Sequence, residues 1–276
     1  MNRTWGIRAV FLIGFLLCCF PIVNNVIEQR HQADAVATYQ KAADKSEDTL
    51  EQMLSEAKEY NDMLYQSEGA IVDGMDTQLL SDQSYQTVLD ISGTGTMGSL
   101  DIPKINVELP IYHGTEAEAL SNGIGHLQGT SLPIGGENVH SVLTGHRGLP
   151  SSKLLVRLDE METGDLFFVR VANETLAYRV SDIQVVKPEE TSCLKIQPGK
   201  DLVSIVTCTP YGINTHRLVV TGERVAYKKA EYERIKTEIP SVRELLFTIL
   251  PFAFIAISIG LWIKDRRHID YENEKI

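Results

Sequence analysis

The sequence predicts a mainly β domain, a closed barrel or a sandwich, behind a helical segment and between two apolar ends. Three observations carry this prediction. From Gly98 to Tyr227 one β-branched, mostly alternating run follows another, with turn residues between them. Residues 28–67 contain neither Gly nor Pro and are rich in Ala, Glu, Gln and Lys. Ala9–Val23 and Leu245–Ile263 contain no charged residue. A chain of 276 residues suits one or two domains, and a charged fraction of 23% excludes wholesale disorder. A net charge of −11 without a long Lys/Arg cluster argues against a nucleic-acid partner. Four cysteines are too few for a disulfide scaffold.

The apolar ends come first. Arg3 and Arg8 precede the run Ala9–Val23, so residues 1–27 read as a cytoplasmic tip and a membrane span. A cleaved signal peptide is the alternative, with Ala33-Asp34-Ala35 as its cleavage-like site. The second run, 245–263, would span about 28 Å as a helix, near a hydrocarbon core of about 30 Å. Pro251 would kink it, Trp262 suits the lipid–water boundary, and Lys264, Arg266 and Arg267 follow. A buried soluble helix is the alternative here. Basic residues outside both runs place both termini in the cytoplasm, residues 264–276 as a tail, and the middle outside the cell. The expected location is therefore the cell membrane, with 229–244 as a juxtamembrane linker.

Residues 28–67 read as helix. Val36, Tyr39, Ala43, Leu50, Leu54, Ala57 and Leu64 recur at helical spacing and form one apolar stripe. Residues 68–97, with Gly69, Gly74, Gly93 and Gly95 among many polar residues, read as a long loop or lid. Residues 98–228 hold the strands: SLDIPKI, VELPIYH, VHSVLTGH, DLFFVRV, TLAYRVSDIQVV, LVSIVTC and RLVVTGERV. Short helical stretches are expected only near 115–122 and 151–160. The run Gly93–Gly98 matches GxGxxG, but a loop precedes it and a strand follows, so a nucleotide site is not expected.

The chemistry-bearing residues lie at strand ends. Alternation puts Ser204, Val206 and Cys208 on one face of their strand and Val203, Ile205 and Thr207 on the other. If 202–208 and 217–225 pair as a hairpin, Cys208 and Arg217 meet at one rim. A guanidinium there favours the thiolate and can bind an oxyanion. His146 ends another strand beside Gly145 and can reach the same rim as an acid–base partner. Two alternatives stay open from these residues: a buried structural Cys208, and a bridge to Cys193.

Ser204-Ile205-Val206-Thr207-Cys208, with Arg217 nine residues later, resembles the T-L-x-T-C…R signature of the sortases. Thr144-Gly145-His146 resembles their T-G-H. Leu100–Ile105, Leu109–Thr115 and Gly125-His126-Leu127 resemble the family's other strands, so the likeness covers about residues 85–225 in order. The resemblance implies a closed eight-stranded β-barrel with an N-terminal helical region and two transmembrane helices. It implies Cys208 as nucleophile, His146 as general acid and Arg217 as substrate and oxyanion support. It implies a transpeptidase that cleaves LPxTG-like sorting signals of surface or pilin proteins between Thr and Gly. The acyl group would pass to an amine acceptor, a pilin lysine.

The apparent second span and Tyr60-Asn61-x-x-Leu64 resemble the class C, pilin-polymerising sortases most. Those enzymes carry an Asp-Pro-aromatic lid; Asp73-Gly74-Met75 stands at about that place without the proline and the aromatic, and there Asp73 would pair with Arg217 and Met75 would cover the Cys208 sulfur. Thr207, His126 and His216 are further candidates for substrate contact or support of the site. No metal or other cofactor is expected. A cell-wall-anchoring housekeeping sortase, a cysteine hydrolase and a non-catalytic binding barrel are the rivals.

Overall fold

The computed structural model describes residues 2–44, 47–67, 83–148, 154–238, 249 and 252–260. The chain divides into two compact units, Ile27–Glu238 and the pair of end segments Met1–Val26 and Ile239–Ile276.

The larger unit is a closed barrel of eight strands. These are β1 (Thr96–Ile102), β2 (Val107–His113), β3 (Ile124–His126), β4 (Val139–Thr144), β5 (Leu166–Val171), β6 (Glu174–Val186), β7 (Asp201–Thr209) and β8 (His216–Val225). Their order around the barrel is β1-β2-β3-β4-β7-β8-β6-β5. Two pairs are parallel, β2 with β3 and β4 with β7, and the remaining pairs are antiparallel. Closure leaves no free sheet edge. Leu100, Ile111, Leu143, Phe167, Val169, Tyr178, Val203, Ile205 and Val220 fill the interior.

The helical segment breaks in two. Helix α1 (Asn2–Ala43) ends before Asp44, and α2 (Glu47–Gln66) restarts the run. Asp44 sits in a turn, and its short polar side chain favours helix ends over helix interiors. The expected single helix over 28–67 is therefore corrected to two, but its apolar stripe is buried as the spacing requires. Val36, Tyr39, Ala43, Leu50, Ala57 and Leu64 are all buried, and Leu54 packs against the core. A polar side chain on α1 ties it to the barrel. Tyr39 Oη donates to Met97 O at 2.8 Å and accepts from Ala172 N at 3.1 Å.

Short helices α3 (Gln83–Thr87) and α4 (Ala117–Asn122) precede β1 and cross from β2 to β3. The strand β3 is not among the expected runs, because its three residues, two of them flanking Gly125, show no usable period. The helix expected over 151–160 reduces to a 3-10 turn at Leu158–Glu160, among the described residues. The glycine run before β1 folds on its own side chain: Asp90 accepts from Thr94 N and Gly95 N, each at 3.0 Å. A short helix, α5 (Lys229–Tyr232), follows the barrel.

In the smaller unit, α1 carries exposed Ile13, Leu16, Leu17, Phe20 and Val23, and helical residues 252–260 carry exposed Phe252, Phe254, Ile257 and Ile259. Among the described residues no helix is long and apolar enough to cross a membrane. The expected spans are thus not met there. Much of 245–263 lies outside the described residues, as do Asp73, Gly74 and Met75.

Candidate active site

The outer face of β4, β7 and β8 builds the site in rows. In parallel and antiparallel pairs alike, paired residues point to the same side of the sheet. Val142 lies beside Ser204, and Ser204 beside Thr221. One step along, Thr144 lies beside Val206 and Val206 beside Val219. The next row contains Cys208 directly paired with Arg217. Continuing the β4–β7 register past Thr144 brings position 146 level with 208. The ladder does continue, since Gly145 N donates to Val206 O at 3.0 Å. His146, Cys208 and Arg217 are each half-buried, open to solvent at this end of the barrel.

The rows beneath are dry. Val142, Val206, Val219 and Leu194 form a buried cluster, with Leu127, Val186 and Cys193 packed against it. Leu194 comes from a 3-10 turn, Ser192–Leu194, in the segment between β6 and β7. This cover explains why β7 is buried on both faces over 202–207, although its sequence reads as an alternating strand. A polar row pins the same segment. His140 shares hydrogen bonds of 2.8 Å with Lys195 O through Nδ1 and with Ser204 Oγ through Nε2. Ser204 in turn meets Thr221 Oγ1 at 2.8 Å. Burial pushes the His140 imidazole below the usual histidine range.

The opposite face of the rim holds the strand ends together. Thr207 Oγ1 donates to Gly145 O at 2.8 Å, and Leu155 N donates to His146 O at 3.2 Å. Arg147 Nη1 donates to Thr209 Oγ1 at 2.5 Å, and Nη2 pairs with Asp159. Sequence reasoning missed Arg147 and Asp159. The available signal was adjacency, because Arg147 follows His146 as Thr209 follows Cys208. Arg217 is oriented by its own loop, its Nη1 donating to His216 O at 3.1 Å and Asn214 O at 3.3 Å.

The other expected residues have different places. Thr207 is buried and serves the backbone of Gly145 rather than a substrate. His126 is fully buried, so it does not line a groove. Its Nδ1 meets Tyr85 Oη at 2.8 Å and its Nε2 meets Ser131 O at 2.9 Å. Burial takes its pKa down to about 4. His216 pairs with Thr209 and faces away from Arg217, with Nδ1 at 3.0 Å from Thr215 Oγ1. Cys193 is free, as is Cys208, and burial pushes the Cys193 thiol up. Among the described residues no group of His, Cys, Asp and Glu is arranged to hold a metal ion. A cavity of about 490 Å³ lies beside Lys104, Asp165, Arg179 and Glu231. Arg179 lies mid-strand on β6, seven residues before Val186, the neighbour of Arg217, and pairs with Glu231. That cavity is remote from the cysteine.

A cysteine and an arginine at paired strand positions, with a histidine position level by register and a buried apolar row beneath, would suit cysteine-dependent acyl transfer. A family model described as the sortase domain matches residues 100–225, from within β1 to the end of β8. Sortase D of Bacillus subtilis is 34% identical over 131 residues, 46% of this chain and 63% of its own length. The crystal structure of sortase C1 from Streptococcus agalactiae is 44% identical with a TM-score of 0.65, covering 71% of this chain and 100% of that one. Sortase C of Clostridium perfringens, solved with the C-terminal cell wall sorting motif, is 37% identical with a TM-score of 0.60, covering 71% and 100%. The chain belongs to the sortase family, and these solved neighbours are sortases C. It spans less than two thirds of the length of the Bacillus subtilis relative.

Proposed function

We propose that this chain is a class C-type sortase, a cysteine transpeptidase that joins a sorting signal to an amine. The observation that carries the reading is the third row of the outer face, where Cys208 pairs with Arg217 and position 146 falls level with both. Cys208 first passes its proton to His146. The thiolate attacks the Thr carbonyl of an LPxTG-like signal, and Arg217 faces the oxyanion that develops. The Thr–Gly C–N bond then breaks, His146 gives its proton to the departing Gly amine, and a thioester remains on Cys208. An acceptor amine, a pilin lysine Nζ, attacks the thioester. The new C–N bond forms, the C–S bond breaks, and the amine proton returns to His146. The net result is one amide exchanged for another, with no redox change.

Resemblance to the sortases C supports the pilin acceptor, since the Streptococcus pneumoniae sortase C structure is described in terms of pilin substrate specificity. The uncharged runs Ala9–Val23 and Leu245–Ile263 support anchoring in the cell membrane, with the barrel outside. The test uses the full chain in detergent with an LPxTG-type peptide, with and without an amine acceptor. Mass spectrometry is expected to find an acyl adduct on Cys208 and ligated product when the amine is present. Cleavage without ligation would make the protein a hydrolase. No adduct on an alkylatable Cys208 would overturn the reading.

A further inference from the structure

We propose that Arg147 is a positioning residue that holds His146 level with Cys208, a role that rests on the reading of these two as the acid–base and nucleophile pair. The strand β4 ends at Thr144, so His146 lies beyond the regular ladder. Gly145 N still bonds Val206 O, and beyond it side chains supply the ties. They alternate along the rim with the two reactive residues. Thr207 holds Gly145, on one side of His146, at 2.8 Å. Arg147, on the other side, holds Thr209 at 2.5 Å. Thr207 and Thr209 likewise flank Cys208. The two ties therefore bracket both reactive positions, and they lie on the face that His146 and Cys208 do not use.

The second arm of Arg147 fixes the clamp to a rigid support. It pairs with Asp159 on the 3-10 turn Leu158–Glu160, whose Leu158 is fully buried in the core. Three separate segments thus meet at one guanidinium: the end of β4, the end of β7 and the turn after 154. A planar fork with five donors can bridge two acceptors in this way, whereas an ammonium is a single flexible point charge. The side chain is only 9% exposed, and its Nε has no hydrogen-bond partner among the described residues. Burying a cation so incompletely satisfied is costly, and an apolar residue would fill the same space more cheaply. What the apolar residue would lack is the link from the residue after His146 to the residue after Cys208.

The test reads the thiol rather than turnover. Full chain in detergent is alkylated with iodoacetamide across pH, and the Cys208 peptide is followed by mass spectrometry, which separates it from Cys193. Melting temperature is measured on the same samples. In Thr209→Val, which removes one hydroxyl, and in Arg147→Met, the rate-versus-pH curve is expected to move to higher pH. The Cys208 rate at pH 7 should fall about tenfold, as thiolate is lost with its imidazole partner. Thr209→Ser should restore the parental curve. His146→Ala supplies the reference for a lost partner.

If His146→Ala shifts the curve but Thr209→Val and Arg147→Met only lower the melting temperature, the clamp is overturned and the catalytic reading stands. If His146→Ala leaves the parental curve unchanged, the catalytic reading falls and the clamp falls with it. Should Arg147→Met fail to fold, Thr209→Val and its Ser rescue decide the matter alone.

Discussion

Asn61 on α2 pairs with both backbone polar groups of Leu132. Leu132 N donates to Asn61 Oδ1 at 2.7 Å, and Asn61 Nδ2 donates to Leu132 O at 3.1 Å. The amide acts as a strand neighbour for a buried residue that lies in no strand. The helical segment is therefore a working part of the barrel unit and not a detached stalk. Asn61→Ala would leave the buried Leu132 N–H without a partner, at about 1–3 kcal/mol, while Leu132 O keeps its bond from Ile134 N at 2.8 Å. The expected loss of unfolding free energy is about 1–3 kcal/mol. Denaturant titration checks it, and a loss within error of zero would show that Leu132 finds other partners.

Gly222 on β8 lies between Val203 on β7 and Val180 on β6. A Cβ there would lie 2.5 Å from Phe167 Cε1, 2.6 Å from its Cζ and 2.9 Å from Tyr178 Cβ. Phe167 and Tyr178 stack with centroids 5.6 Å apart, so neither ring can yield without disturbing the other. Gly222→Ala is expected to destabilise by about 1–3 kcal/mol through overpacking. Adding Phe167→Leu should recover part of that loss, a coupling that a double-mutant cycle measures. Simple additivity of the two changes would place the strain elsewhere.

Much of this architecture is legible in the residues because it depends on local periods. The stripe from Val36 to Leu64 and the alternation of 202–208 each report one buried face, and the structure buries those faces. The Cys208–Arg217 pairing was legible too, since a short loop between antiparallel strands fixes register. What stayed hidden depends on contacts distant in sequence. His126 reads as a candidate for substrate contact until Tyr85 closes over it from 41 positions away. The outer-face cover on β7 comes from Leu194, and the contacts of Arg147, past the end of β4, join residues 147, 159 and 209. No periodicity encodes such meetings.

The buried imidazole of His126 makes stability depend on pH in a definite direction. Its folded pKa is about 4, against an ordinary value of 6.5, and burial is the main cause. Between those values the unfolded chain binds a proton that the folded chain refuses. Stability therefore rises with pH over this window: it is fully present above about 6.5 and lost as pH falls toward 4. The contribution is on the order of 3 kcal/mol. His140, also lowered by burial, acts with the same sign. Melting temperatures between pH 7 and 4.5 should fall less steeply in His126→Gln than in the parent. Parallel slopes in the two proteins would mean that other groups carry the acid sensitivity.

Arg217 offers the clearest separation of charge from geometry at the site. Its Nη1 is held by the carbonyls of His216 and Asn214, and its position pairs with Cys208 across β7 and β8. Arg217→Lys keeps the positive charge but gives up the planar fork, and its ammonium cannot keep both carbonyls and also face a developing oxyanion. If Arg217 stabilises that oxyanion, the Lys variant should lose about 10²-fold in kcat, the scale of one lost oxyanion donor. Arg217→Ala should lose at least as much. Melting temperature should change little in either variant, because the side chain is half-buried at the rim and outside the core. Steady-state ligation kinetics with an LPxTG-type peptide and an amine measure the split. A Lys variant with parental kcat and a raised KM would assign Arg217 to ground-state binding through charge alone.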